Sequence, residues 1–266
     1  MKTRWGQVLA VVAAVVVIGL VTVLLVANTE PGAGPRPTTT TTTTRKTTTA
    51  TPPPRPTLTV DSGCRTAQGR ERLVDVPQHV TDRVNRAWER IEKWLAAKAP
   101  ASARTLAPPA TREAISDMQR QLGVPVPAEL IASLLRHNGA GTTMRGFTLP
   151  PFYTPMSTTA IVDYHKMLCD ILISSGHNES VGSWWHGQVI PFAQDFAGGN
   201  LLLDQRPGRK GKLGDRDEET EMMFDRWPAT LTDLLEQTAT ALETNGVVRN
   251  YHPKVVEDGI LDWDIR

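Results

Sequence analysis

The longest hydrophobic pattern in the chain is the run Val8 to Ala27, twenty residues without a charge, in which Gly19 and Thr22 are the least apolar. At 1.5 Å rise per residue such a run spans ~30 Å as a helix, the thickness of a hydrocarbon core, so it predicts a membrane anchor. A cleaved signal peptide is the competing reading, with Leu25-Val26-Ala27 as its cleavage site, but its apolar region would be only ~7–15 residues long. Lys2 and Arg4 before the run, and Glu30 ahead of Arg36 after it, place the N-terminus on the cytoplasmic side.

Beyond the run the periodicity disappears. Residues 29–76 are Thr, Pro and Gly followed by a polar entry, with Thr38 to Thr44 unbroken and Pro52-Pro53-Pro54 close behind. With so little apolar surface to bury, this stretch cannot offset the entropy of ordering, and it predicts a disordered linker biased to extended backbone.

From residue 77 the pattern becomes helical. Pro77 suits a first turn ahead of Val80, Val84, Ala87, Trp88, Ile91 and Leu95, which recur at three and four residue steps until Pro100. Thr111 is placed to cap a helix bearing Ile115, Met118 and Leu122, with Gly123 as its left-handed terminator. A third helix follows from Pro127, with Leu130, Ile131, Leu134 and Leu135 on its buried side and Asn138-Gly139 at its exit. Met144 to Tyr153 predicts a strand that Pro150, Pro151 and Pro155 break. Thr158 to Ser175 predicts a helix burying Ile161, Tyr164, His165, Leu168, Ile171 and Leu172.

Two short apolar runs come next, Val189 to Ala193 and Leu201 to Leu203, separated by a turn containing Gly198-Gly199-Asn200. They predict an antiparallel hairpin whose strands are covered on both faces. Arg206 to Gly214 reads as a second exposed turn, Leu231 to Leu242 as a closing helix, and Ile260 to Ile265 as a last edge strand. The fold class is therefore α+β: a mainly antiparallel sheet with helices packed on it, preceded by the membrane helix and linker. The domain organisation is an N-terminal stub and anchor at 1–28, the linker at 29–76 and a globular domain at 77–266.

Charge and cysteine content change this picture little. Of 29 Lys/Arg and 28 Asp/Glu, six and one lie in residues 1–60, so the rest carries 23 and 27, a net of −4. A mildly acidic body argues against a nucleic-acid groove. Cys64 and Cys169 lack any metal or redox spacing; they either pair, if the body lies in an oxidising compartment, or remain as a buried thiol and a free one.

Candidate chemistry is sparse. The sequence has no nucleophile elbow, no paired-histidine metal spacing and, in Gly208 to Lys212, no Walker arrangement. Ser183, His186 and Asp195 are neighbours along the chain, which does not make them a triad. Asp195 and Asp204 are the pair to consider for an envelope hydrolase, since two carboxylates about 5–9 Å apart suit glycoside hydrolysis.

Ala107-Pro108-Pro109-Ala110, Leu122-Gly123, Pro127-Ala128-Glu129-Leu130, Asn138-Gly139, Trp185, Ile190-Pro191-Phe192-Ala193, Asp195, Gly198-Gly199, Leu203-Asp204, Gly208, Gly211 and Trp227 together resemble the SUKH superfamily. Its members include a fungal regulator of cell-wall assembly (Smi/Knr type) and many bacterial immunity proteins. The resemblance covers roughly residues 85–245. It implies a non-enzymatic interaction domain, without catalytic residues, cofactor or metal, that binds another protein, in bacteria often a toxin whose active site it blocks. Partner contacts would involve the loops around Asn138, Trp185, Asp195 and Asp204, residues that can equally be structural. Typical immunity domains of the superfamily are soluble and cytoplasmic, whereas this chain combines the domain with a bilayer contact through residues 8–27. The expected arrangement is an outward-facing, membrane-tethered binding domain with a role in toxin immunity or the cell envelope. A cytoplasmic-facing immunity protein and the Asp195/Asp204 hydrolase are the alternatives.

Overall fold

The computed structural model describes Cys64 and residues 72–265 except 142–145, 178–179 and 218. The apolar run at 8–27 and the Thr/Pro linker lie outside the described residues. Among the described residues no helix is long and apolar enough to cross a membrane. The chain divides into two units at Pro54/Arg55, and everything described belongs to the second.

Helix α1 (Gln78–Lys98) starts one residue later than its proline: Pro77 is the N-cap, and its carbonyl accepts the Val80 and Thr81 N–H groups. Val84, Ala87, Trp88, Ile91 and Leu95 are buried along it, as their spacing requires. Pro100 does not simply end the helix. It opens a single short turn, α2 (Pro100–Ala103), because its missing N–H costs nothing in a first turn.

Helix α3 (Arg112–Leu122) is capped by Thr111, whose hydroxyl accepts the Ala114 N–H, and closed by Gly123 at φ 66°. Helix α4 (Ala128–Arg136) follows. Helix α5 (Thr158–Ser175) is capped by the Ser157 hydroxyl and ended by Gly176, and α6 (Leu231–Thr244) by the Thr230 hydroxyl and Asn245. On α5, Ile171 departs from expectation: it is exposed while Leu168 and Leu172 are buried, since the stripe that meets the sheet is narrower than the apolar one.

Strands β1 (Thr154–Pro155), β2 (Val189–Gln194), β3 (Asn200–Asp204) and β4 (Lys212–Arg216) form an antiparallel sheet in that order. Pro191 sits inside β2 because a register shift between Pro191 and Ala193 frees Phe192 from the ladder, and the Phe192 carbonyl accepts the Met156 N–H instead. Met144 to Tyr153 does not form the expected strand. Within its described part Leu149 and Tyr153 make one isolated bridge around the Pro150-Pro151 turn, and the pairing residues come after it, in β1.

The sheet is buried on both faces. Ile190, Leu201, Leu203 and Leu213 join the main core with α1, α3, α4 and α6, whereas Val189 and Leu202, one step out of phase, join a second cluster. That cluster contains Leu168 and Leu172 of α5, Trp185, Phe224 and the Cys64–Cys169 disulfide, whose Cα atoms are 5.1 Å apart. The bridge and the carboxy-terminal half of α5 thus cover a face that an arrangement with helices on one side would leave open.

The tail is not an edge strand of this sheet. Strands β5 (Tyr251–Val256) and β6 (Ile260–Ile265) pair as a separate hairpin, which inserts Leu261 and Trp263 into the main core. Ser102 fastens it: the buried hydroxyl accepts the Leu261 N–H at 2.9 Å.

Candidate functional site: the sheet end and its supporting loops

The four residues to which the resemblance points do not form one surface. Asn138 lies just past the end of α4, where His137 is the C-cap. Its Oδ1 accepts the Thr158 N–H at 2.8 Å, so it caps the first turn of α5 rather than the last turn of α4. Gly139 beside it has φ 80°, and a Cβ there would stand 2.6 Å from the backbone of Met156 and Ser157. Asn138-Gly139 therefore splices the α4 exit onto the α5 entry.

Next to this splice, Arg136 donates two 2.7 Å hydrogen bonds to the two Glu92 oxygens, and His137 Nε2 meets Oε1 at 2.8 Å. Burial pushes the Glu92 carboxyl up, but the hydrogen bonds from Arg136 and His137 outweigh it and hold the group below the usual range.

Trp185 is fully buried in the second cluster, edge-on to His165, whose Nε2 meets the Gly187 carbonyl at 2.8 Å. It supports its loop from beneath and presents no side-chain surface to a partner. Its neighbour Trp184 is half-buried and carries the Arg216 guanidinium over its ring at 4.9 Å.

Asp195 closes the β2–β3 turn: one carboxylate oxygen accepts the Ala197 and Gly199 N–H groups, both at 2.8 Å. A Cβ on Gly199 would stand 2.2 Å from the other oxygen, so the carboxylate and the glycine are matched. Asp204, at the far end of β3, is fully buried. Arg206 binds it through Nε and Nη2, Arg209 Nε lies 3.2 Å away, and both guanidinium groups rest on Phe224.

The idea of an acid/base pair fails on this geometry. Asp195 precedes β3 and Asp204 ends it, so at ~3.3 Å per strand residue they are on the order of 13 Å or more apart, beyond the ~5–9.5 Å that glycoside hydrolysis uses. Each carboxylate is also committed to its own turn. Among the described residues no group of three or more His, Cys, Asp or Glu is placed to hold a metal ion.

Exposed side chains gather at one end of the sheet. Thr154, Gln194, Asn200 and Arg216 pair across all four strands and form its last rung. Beyond that rung lie Phe152 and the β2–β3 tip, and after β4 the chain returns to pair Met223 with Asp215, one rung in. Phe152 is 50% exposed, Phe196 47% and Met223 37%. Phe196 is also the only aromatic among the described non-glycine residues with positive φ, at 62°, a conformation that costs a bulky L-residue about 1–2 kcal/mol.

The same end is acidic. Asp217, Glu219 and Glu221 are exposed, and Asp195 and Asp215 stand behind them, Asp215 being paired with Arg226 at 3.5 Å and Arg249 at 3.9 Å. Burial pushes the Tyr153 hydroxyl up, and Asp215 and Asp195 push it further, with Arg249 opposing. Periodicity alone could not identify this site, because an apolar residue inside a turn reads as a stray. The available signal was the Asp195-to-Gly199 turn itself, in which Asp195 accepts the N–H groups at 197 and 199 and residue 196 takes φ 62°.

No curated protein matches the chain. A family model does: residues 109–236, from just before α3 into α6 and including the whole four-stranded sheet, match the SMI1 / KNR4 family (SUKH-1), while α1 and the β5–β6 hairpin lie outside the match. The match supports the resemblance to the SUKH superfamily over residues 109–236.

Proposed function

We propose that this chain is a single-pass membrane protein whose SUKH domain stands on the extracytoplasmic side and works by binding a protein, a toxin or a component of cell-envelope assembly, without turning over a substrate. The observation that carries the reading is the SUKH-1 match across the sheet and its flanking helices, since the immunity and cell-wall members of the superfamily act through protein contacts. The apolar run at 8–27 supports the tether. The Cys64–Cys169 bridge supports the outward orientation, because such bonds persist in oxidising compartments and are rare in the cytosol. It weighs against the cytoplasmic-facing alternative. Commitment of Asn138, Asp195 and Asp204 to backbone turns and arginines supports a binding rather than a chemical role for the loops that resemble the family.

Protease added to intact cells should remove the domain, and a thiol reagent should label Cys64 and Cys169 only after reduction. Cells lacking the protein should become sensitive to a toxin or to agents that perturb wall assembly. Protection of the domain in intact cells would overturn the orientation. Steady turnover of an envelope polymer by the purified full chain, lost on a single polar substitution, would overturn the binding role.

A further inference from the structure

We propose that the partner docks on the end of the sheet that carries Phe196, and that it presents a basic surface with an apolar pocket for that ring. The inference rests on the protein-binding reading above and deepens it by naming the surface and the partner's chemistry. Phe196, Phe152 and Met223 are all exposed at one end of the sheet, Phe152 and Phe196 past its last rung and Met223 beside β4 opposite Asp215, one rung in. Exposed aromatic and methionine side chains held on a rigid frame are what binding anchors are made of.

The frame is rigid here. Asp195 accepts two N–H groups of the turn, the Gly199 carbonyl accepts the Asp195 N–H, and Arg216, itself buried, donates to the Gly198 carbonyl at 3.3 Å. Phe196 is thus held outward before any partner arrives, which lowers the ordering cost of binding.

A tip that served folding alone would place glycine at a left-handed position, as this chain does at Gly198. An exposed phenylalanine there gains little burial and carries backbone strain, so its use lies outside the domain. The charge around it selects the partner. Asp217, Glu219 and Glu221 are exposed on the adjoining segment, and the nearby cations Arg226 and Arg249 are paired with Asp215. A basic partner is favoured in orientation and encounter rate, and an acidic one is repelled.

The test uses the full chain in its own cells, with benzoylphenylalanine as the photoreactive probe at position 196, at 223 and, as controls, at the exposed Ile171 on α5 and Val255 on β5. Adducts to a protein of net positive charge at 196 and 223, and not at 171 or 255, are the expected result. Glu219→Lys with Glu221→Lys should lower the yield at 223 roughly tenfold, as should Phe196→Gly, and Phe196→Gly should leave the melting temperature unchanged or higher. Adducts confined to 171 or 255 would overturn this surface while leaving the binding role intact, and absence of adducts at every position would count against the binding role itself. An adduct at 196 indifferent to the charge reversals would overturn the basic partner. A fall in melting temperature on Phe196→Gly would make the ring structural.

Discussion

Breaking the Cys64–Cys169 bridge should destabilise the domain by about 4.8 kcal/mol, the chain-entropy value for cysteines 105 residues apart. The perturbation is the double variant Cys64→Ala/Cys169→Ala, because both sulfurs are buried in the second cluster and a serine hydroxyl there would add a desolvation penalty of its own. For a domain of this size each kcal/mol moves the melting temperature by about 2–4 °C, so the expected drop is roughly 10–19 °C. Urea unfolding of the full chain in detergent, followed by far-ultraviolet circular dichroism, separates the two ways the bridge could act. If it acts on the unfolded chain, the midpoint falls and the m-value rises, because the uncrosslinked chain exposes more surface. A loss below ~1 kcal/mol with an unchanged m-value would refute the reasoning. The bridge would then be a local clip on α5 rather than a constraint on about two fifths of the chain.

Gly139→Ala should cost about 2–4 kcal/mol, since the methyl meets the Met156 and Ser157 backbone at 2.6 Å and φ is 80°; equilibrium unfolding reads it. Asp204→Asn should cost on the order of 3 kcal/mol in the same assay, because it breaks a buried carboxylate–arginine cluster that orders the turn to β4. Glu92 titrates below its usual range in the folded state. Its stabilising contribution is therefore present above the unfolded carboxyl value of about 4.3–4.5 and is lost as pH falls through the lower folded value. Glu92→Gln should flatten the acid limb of a melting-temperature profile below about pH 4.5, and an unchanged slope there would dissociate the Arg136–Glu92–His137 cluster from acid stability.

The helices were legible because their punctuation is local. Thr111 and Gly123 bound α3, and Ser157 and Gly176 bound α5, with side-chain or left-handed caps whose chemistry acts within four residues. The β2–β3 hairpin was legible for the same reason, since the apolar runs and the glycines between them are contiguous. What the sequence concealed was decided at a distance. The strand expected over Met144 to Tyr153 gave way to β1, whose Thr154 and Pro155 pair with the β2 edge, and the tail, paired with its neighbour β5, is tied to the core by Ser102, 159 residues away, whose hydroxyl receives the Leu261 N–H. Pro253 within β5 argues against a strand in any reading of propensity, yet it faces Trp263 across a two-stranded hairpin, where a missing ladder donor is tolerated.

The candidate site divides along the same line, and the division explains why resemblance and surface diverge. Asn138, Trp185, Asp195 and Asp204 are residues the backbone demands: a cap for α5, a filler beneath a loop, a turn carboxylate and an arginine anchor. Any chain that builds this sheet with these connections needs groups of that kind, so they make a fold recognisable. Phe196, Met223, Glu219 and Glu221 answer no such demand, since their side chains are exposed. A scaffold that fixes Asp195 and Gly199 leaves residue 196 outward and open to choice, so partners can change through the turn's exposed positions without disturbing the hydrogen bonds that hold it.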